Sequence, residues 1–304
     1  MERFEINIIG CGAALPTPKH IGSTQIVNIR EKLFMLDCAE GAQVATRKMR
    51  LSFTGLQAIF LTHMHGDHVF GLMGLLSTLG LLGRQQELHV YGPAPLQSIF
   101  QPQIDYFCAE SPYSIILHEI DPCKQEVIYE DRSATIATLP LKHRVGCCGY
   151  LLKEKPTLPH IRRDMIDYYG IPVSQINNIK NGADWTLPDG TIVPCSQLTS
   201  PAQPPRSYAY CTDTRHNPAL ASMIDGVTCL YHEATFTKDH KLLAKKTMHS
   251  TAEQAALIAQ AAHAGKLILG HFSSRYRDEN VLLEEAKSVF PDTILAKEEM
   301  KISL

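Results

Sequence analysis

The chain has 304 residues, 44% of them hydrophobic and 20% charged, enough for one large globular core or two smaller ones and unlike the composition of a disordered protein. Its net charge of −2 excludes bulk electrostatic attraction to nucleic acid, so a nucleic-acid role has to come from a local basic patch or from metal ions. Nine cysteines, an odd count without repeated spacing, exclude a disulfide framework and read as free thiols in a reducing cytoplasm.

The amino terminus, "MERFEINIIGCG", starts directly in a strand pattern and lacks the basic-then-apolar layout of a signal peptide. Strands are predicted at "FEINIIGCG", "STQIVNI", "KLFMLDC" and "LQAIFLTH", with a helix at "GAQVATRKMR". The run "VFGLMGLLSTLGLLG" is too short to span a bilayer and reads as a buried helix, so no membrane partner is expected. Next come the strand "ELHVYGP", a helix at "APLQSIFQPQIDYF", and strands at "SIILHEI" and "EVIYEDRSATIATLPLKH". Residues 153–206 break this rhythm. They are rich in proline, hold the only tryptophan, Trp185, and show no long periodicity, which predicts an inserted, protruding arm within a single domain spanning 1–304. The last third returns to strands at "SYAYCTDT", "VTCLYHEAT" and "KLILGHF", with helices at "STAEQAALIAQAAHAG" and near "NVLLEEAKSVF". For the first of these helices Ser250 or Thr251 supplies the cap, Glu253 completes a capping box with Ser250, and Gly265 provides the stop. Strand runs followed by helices in each half predict an α/β protein with two packed sheets covered by helices on both outer faces.

Several apolar strands end on metal-competent residues. "IFLT" delivers His63, His65, Asp67 and His68; "TLPLK" delivers His143; "YAYCT" delivers Asp213; "LILG" delivers His271. The cluster His63–His68 sits between two apolar elements, and polar side chains there are costly to bury without partners. Imidazole and carboxylate without thiolate suit Zn²⁺ or a similar ion. Seven ligands exceed one tetrahedral site and suit two zinc ions sharing one carboxylate, a pair that clamps the attacking and leaving oxygens of a displacement.

At "THMHGDH" the sequence resembles the metallo-β-lactamase superfamily. "LDCAEGAQ" (36–43), "TDT" (212–214), "HEATF" (232–236), "HST" (249–251) and "GHFSSRY" (270–276) narrow the resemblance to ribonuclease Z, the tRNA 3′-processing endonuclease, over essentially the whole chain. The resemblance implies an αββα four-layer sandwich of the metallo-β-lactamase type and two Zn²⁺ per subunit. One zinc would take His63, His65, His143 and Asp213, the other Asp67, His68, His271 and the shared Asp213. It further implies a homodimer in which an arm of one subunit grips the precursor tRNA cut by the other, and the segment at 153–206 falls where that arm lies. There the family's Gly-Pro before Lys-x-Gly is replaced by "IPVSQINNIKNG", which keeps Lys180 and Gly182. Between Lys153 and Gly190 five basic residues face five acidic ones, so the arm is charge-neutral.

In the mechanism this resemblance implies, Asp67 accepts the proton of the attacking water, and Glu233 with His249 protonates the leaving 3′ oxygen. Ser273 and Arg275, just after His271, and Lys180 in the arm are the candidate substrate contacts. Lys238, Lys241, Lys245 and Lys246 offer a basic helix face, either a contact for an acceptor stem or a solvated surface. Two other functions fit parts of the pattern. One is a phosphodiesterase of the same superfamily acting on small substrates such as cyclic nucleotides. The other is a metal-bound RNA-binding protein without activity, which would have no use for an intact "HEAT" and "HST" pair.

Overall fold

The structure is a computed structural model, and it describes residues 2–304. Strands β1 (Phe4–Gly10), β2 (Thr24–Ile29), β3 (Lys32–Leu36), β4 (Leu56–Phe60), β5 (Leu88–Pro93) and β6 (Ile115–Ile120) build one sheet. Strands β7 (Val127–Glu130), β8 (Ala134–Pro140) and β9 (Cys148–Glu154) begin the second. Short strands β10 (His160–Ile161), β11 (Trp185–Thr186), β12 (Ile192–Val193) and β13 (Thr199–Ser200) follow. The second sheet resumes with β14 (Ser207–Cys211), β15 (Cys229–Glu233), β16 (Leu267–Gly270) and β17 (Thr293–Leu295), and β18 (Lys301–Ser303) returns to the first. The orders are β18-β1-β2-β3-β4-β5-β6 and β17-β16-β15-β14-β9-β8-β7. Within them β3 to β6 and β14 to β17 run parallel, so their carboxyl ends share an edge.

Side-chain alternation assigns the layers. In β3 and β4, Phe34, Leu36, Ala58 and Phe60 join the core that also holds Ile136, Tyr150, Tyr208 and Tyr210 of the other sheet. Met35 and Ile59, one residue out of phase, join a separate core beneath the helices Leu72–Leu81 and Leu96–Phe107. In the first of these helices Leu72, Leu75, Leu76 and Leu79 are buried, the i, i+3, i+4, i+7 stripe of a helix lying on a sheet. Each fully buried leucine is worth about 2 kcal/mol. Helices Ala252–Ala261 and Asn280–Lys287 send Ala255, Ile258, Leu282 and Ala286 into the core around the second sheet. The predicted αββα sandwich is the observed one. Among the described residues no helix is long and apolar enough to cross a membrane.

Of the two expected caps of helix Ala252–Ala261, Thr251 is the one used, and the capping box differs from expectation: it joins Thr251 to Gln254, not Ser250 to Glu253. Ser250 is already committed, its hydroxyl donating to Thr214 O (2.6 Å) and its amide to Glu233 Oε2 (3.0 Å). The helix ends at Ala261, short of the expected stop at Gly265.

Residues Glu154–Pro205 form a second compact unit. In it β10 pairs with β13 and β11 with β12, while helices Arg163–Tyr169 and Val173–Lys180 pack around Ile171, Ile179, Val193 and Leu198. The first helix closes at Gly170, whose φ of 59° is left-handed and natural for glycine. These helices are two turns long, too short to leave a periodic signal in the sequence.

Candidate active site

The site is built from strand ends. β3 leads to Asp37, β4 to His63, β8 to His143, β14 to Asp213, β15 ends at Glu233, and β16 leads to His271. Three of these residues bend the chain sharply: Asp37, Asp213 and His271 have φ of 56°, 51° and 57°, the left-handed region that non-glycine residues enter at a cost of about 1 kcal/mol or more. The surrounding packing holds these turns and aims the side chains at a common point. His65 is extended and precedes the short helix Gly66–Val69, so Asp67 and His68 emerge from its first turns.

Two groups of donors result. His63 Nε2 lies 2.9 Å from His65 Nδ1, which lies 3.3 Å from His143 Nε2. In the second group, His68 Nε2 is 2.8 Å and His271 Nε2 3.3 Å from Asp213 Oδ2, and His68 Nε2 is 3.5 Å from Asp67 Oδ2. The far nitrogens fix the tautomers. His63 Nδ1 donates to Thr62 Oγ1 (3.0 Å), His68 Nδ1 to Asp37 Oδ2 (2.8 Å), His143 Nδ1 to Met248 O (3.2 Å) and His271 Nδ1 to Thr235 Oγ1 (2.9 Å). In the neutral imidazoles each Nε2 is then a bare lone pair. His68 Nε2 and His271 Nε2 are buried and make no hydrogen bond although carboxylate oxygens lie beside them. Lone pairs facing carboxylates are repulsive unless a cation sits between them, so the donor set fits divalent metal ions. Without a cation the same carboxylates call for protons. Burial works against a charged His68, but Asp213 and Asp37 outweigh it and hold its pKa well above the usual value. Burial also works against ionised Asp213, and His271, His68 and His63 outweigh it in turn.

Beside these donors sits a carboxylate–imidazole pair. Glu233, fully buried, accepts from Thr214 N (2.8 Å), Ser250 N (3.0 Å), Thr235 Oγ1 (2.6 Å) and His249 Nδ1 (2.8 Å). Burial opposes a charge on His249, but Glu233 more than offsets it and raises the pKa to about 9. A cavity of about 350 Å³ is lined by His65, Asp67, His143, Asp213, His249, His271 and Ser273, among others.

The chain covers nearly the whole length of curated relatives. It is 54% identical over all 304 residues to ribonuclease Z of Phocaeicola vulgatus, 98% of whose length is covered, and 52% identical to ribonuclease Z of Bacteroides fragilis, covered completely. The chain belongs to the ribonuclease Z family. The model of another family, described as anti-Pycsar protein Apyc1, matches residues 4–102, about a third of the chain. Among solved structures, the short form of human tRNase Z superposes with a TM-score of 0.70 at 23% identity, covering 98% of both chains. The metallo-beta-lactamase fold protein YhfI from Bacillus subtilis gives 0.70 at 19% identity, covering 99% of this chain and 100% of that one. At such identities these two structures establish the fold that ribonuclease Z shares.

The structure gathers His63, His65, Asp67, His68, His143, Asp213, His271, Glu233, His249 and Ser273 around the candidate site. Arg275 follows on the same loop, and its guanidinium lies 6.0 Å from the centroid of the Phe236 ring at the cavity wall. Lys180 is in the last turn of helix Val173–Lys180, within the other compact unit. Four partners escaped the sequence reading: Asp37, Thr62, Thr235 and Ala14, whose amide donates to Asp67 Oδ2 (3.0 Å). Asp37, Thr62 and Thr235 lie inside quoted motifs, yet only the fold shows what they hold. A second cavity, of about 390 Å³, meets the first at His249 and is lined by Arg215, His216, Lys241 and Lys245. Two of the lysines thus face a cavity, joined by Arg215 and His216, which follow "TDT" directly in the sequence.

Proposed function

We propose that the chain is a zinc-dependent endoribonuclease that removes the 3′ trailer from precursor tRNA and leaves a 3′-hydroxyl on the tRNA. The observation that carries this reading is the pairing of two lone-pair clusters with the Glu233–His249 dyad, in a chain 54% identical over its whole length to a ribonuclease Z. His63, His65, His143 and Asp213 would hold one ion, and Asp67, His68, His271 and Asp213 the other. When bound, such a pair lowers the pKa of water and stabilises charge on the phosphoryl group.

The remaining work falls to the chain itself. Ala14 N–H fixes one oxygen of Asp67, which is placed to accept the proton of the attacking water. Glu233 stays ionised under its five donors, the Thr235 amide included, and orients His249 through Nδ1. The other nitrogen, Nε2, is left to give its proton to the departing 3′ oxygen as the P–O3′ bond breaks. Arg215, Lys241 and Lys245, in the cavity next to His249, are suited to the phosphates of an RNA strand, with Ser273 and Arg275 on the other side.

The unit Glu154–Pro205, with Lys180, is read as the arm that grips tRNA. Homodimerisation is supported by the exposed apolar side chains Val44, Phe70, Leu81, Leu82, Tyr106 and Phe107 on the helices that cover the first sheet. A cytoplasmic location is supported by nine free thiols.

The test is cleavage of a transcript carrying a 3′ trailer by zinc-loaded protein. The expected products are tRNA ending in a 3′-hydroxyl and a trailer with a 5′-phosphate. Efficient hydrolysis of cyclic nucleotides with an inert transcript would favour the small-substrate phosphodiesterase instead.

A further inference from the structure

A second set of metal-competent side chains comes together outside the strand-end site, from three separate segments. Cys11 follows β1, His20 lies in the loop before β2, and Glu298 sits in the turn before β18. His20 Nδ1 is 3.4 Å from Cys11 Sγ and 3.6 Å from Glu298 Oε1, and the three donor atoms all lie within 4.8 Å of one another. The opposite nitrogen, His20 Nε2, is 2.9 Å from Glu279 Oε1, and Glu279 is itself paired with Lys19 (2.6 Å). A carboxylate on the far nitrogen keeps the proton there and turns the Nδ1 lone pair toward the thiol and Glu298. This is the arrangement that orients metal-ligating histidines.

We propose that Cys11, His20 and Glu298 bind a divalent metal ion of the zinc class, with water as a fourth ligand, as a structural clamp separate from the strand-end site.

The spacing agrees with that assignment. Around a tetrahedral zinc with about 2.3 Å to sulfur and about 2.0–2.1 Å to nitrogen or oxygen, an S···N pair lies about 3.5 Å apart and an N···O pair about 3.4 Å. The observed 3.4 and 3.6 Å match both. Binding displaces the thiol proton to solvent and forms the metal–sulfur bond. Burial, with Glu298 and Glu279 nearby, pushes the Cys11 thiol pKa up, so the thiolate needs a cation to form. His20 and Glu279 line a cavity of about 200 Å³ that offers a way in.

The competing account is an ion-pair network with a charged His20 between Glu279 and Glu298. Charge does not choose between them, since a protonated His20 with a neutral thiol and a metal with a thiolate both balance the two carboxylates and Lys19. Burial opposes a charge on His20, but Glu298 and Glu279 outweigh it and raise its pKa, and the Cys11 thiol has Ala296 O at 3.7 Å as an acceptor, so the ion-pair network is a real competitor. The metal is favoured by the spacing: Nδ1 lies 3.6 Å from Glu298 Oε1, longer than a hydrogen bond, and its nearer neighbour is sulfur at 3.4 Å. The clamp has something to hold. Phe272, next to His271, exchanges backbone hydrogen bonds with Cys11 and Ala13, Ile21 N donates to Glu298 Oε1 (2.6 Å), and Ala14 N donates to Asp67. Fixing His20 to Cys11 and Glu298 therefore ties down the loop that orients Asp67.

Cobalt distinguishes the two sites, because only a thiolate ligand gives the sulfur-to-cobalt charge-transfer band in the near ultraviolet and the strand-end donors are all nitrogen and oxygen. Full-length protein stripped with chelator and titrated with Co²⁺ should develop that band, complete by three equivalents per chain, two of which fill the strand-end site without contributing to it. Cys11→Ser should abolish it. Glu298→Gln, at a side chain only 26% exposed, should weaken cobalt binding at this site at least about tenfold, the scale of losing support at a metal site. Both variants should carry one zinc fewer per chain than the parent by elemental analysis, with circular dichroism reporting the fold. No thiolate band in the parent, or a band that survives Cys11→Ser, overturns the proposal. Should Cys11→Ser not fold, unchanged cobalt affinity and zinc content in Glu298→Gln overturns it equally.

Discussion

Asp37 Oδ2 lies 2.8 Å from His68 Nδ1, and both side chains are fully buried. The same carboxylate accepts from Thr62 N (2.8 Å), Thr62 Oγ1 (3.0 Å) and Tyr210 OH (3.0 Å), a residue of the opposite sheet. Asp37 therefore ties the two sheets together behind the site and sets which nitrogen of His68 is bare. Asp37→Asn puts an amide donor among groups that all donate. We expect zinc affinity at the site to fall about 10–100-fold, the usual effect of losing a partner behind a ligand. Competition against a chelating dye measures this, and equal affinity in parent and variant would show that His68 needs no such support.

Legibility in the sequence followed from the kind of residue involved. His63, His65, Asp67 and His68 stood out because four polar residues between two apolar elements have no cheap structural explanation. His143, Asp213 and His271 are visible only as strand endings, and the parallel run of β14 to β16 is what brings Asp213 and His271 to one edge. Asp37, Thr62 and Thr235 left no such mark. Each is a common turn or strand residue whose role exists only through a contact with a distant segment. The left-handed turns at Asp37, Asp213 and His271 were equally silent, since aspartate and histidine enter that region only where tertiary packing holds them. Arg215 and His216 were passed over because the cavity they line is walled by a helix more than 20 residues later in the chain.

Asp213 approaches both donor groups, with Oδ2 at 2.8 Å from His68 Nε2 and 3.3 Å from His271 Nε2, and it groups with His143 as well. Asp213→Ala should lose both zinc ions together, not one. Zinc content by elemental analysis should drop from two to near none at this site. A variant that keeps its full complement rules out a shared carboxylate.

His249 hangs from Glu233 at 2.8 Å. His249→Ala should lower kcat for precursor tRNA about 10²–10⁴-fold, the scale of general acid catalysis, with KM nearly unchanged. Glu233→Gln should produce a smaller loss of the same kind, because the amide weakens the orientation of the imidazole without removing it. If the His249 effect falls on KM alone, the residue contacts substrate and is not the acid.

Asp131 offers a pH test of the fold away from the site. Its carboxylate accepts from Lys32 Nζ (2.5 Å), Tyr129 OH (2.9 Å), Ser133 N (2.6 Å) and Ala134 N (2.9 Å), joining β3 of one sheet to the β7–β8 turn of the other. Burial raises its pKa, but Lys32 and the two amides outweigh that and set it below the ordinary 3.8. A depressed folded-state pKa gives stability that is present above the unfolded value and lost as pH falls through the folded one. Asp131→Asn should cost about 1–2 kcal/mol at pH 7. The gap between parent and variant in urea unfolding should hold at pH 5 and shrink once pH drops below 3.8. A gap that stays constant to pH 3 would mean that the charge of Asp131 contributes nothing.

The arm can be removed where the sheet allows it. Lys153 on β9 and Ser207 on β14 are register partners in an antiparallel pair, so a short turn in place of residues 155–205 closes a hairpin without moving either strand. The compact unit Glu154–Pro205 has its own small core around Ile179 and Leu198. If this unit grips tRNA, remote binding energy positions the trailer junction, and a substrate without that anchor loses effective concentration at the site. A small activated phosphodiester needs no anchor. The truncated protein should hydrolyse the small ester within a few-fold of the parent and cleave precursor tRNA at least about tenfold more slowly. With four basic and four acidic residues in the replaced stretch 155–205, the unit should add little to the salt dependence of tRNA affinity, leaving shape and hydrogen bonding to make the grip. Equal losses on both substrates would assign the unit to the fold. Unchanged tRNA cleavage would place the grip elsewhere, and the cavity lined by Arg215, Lys241 and Lys245 is where charge reversal should then be tried first.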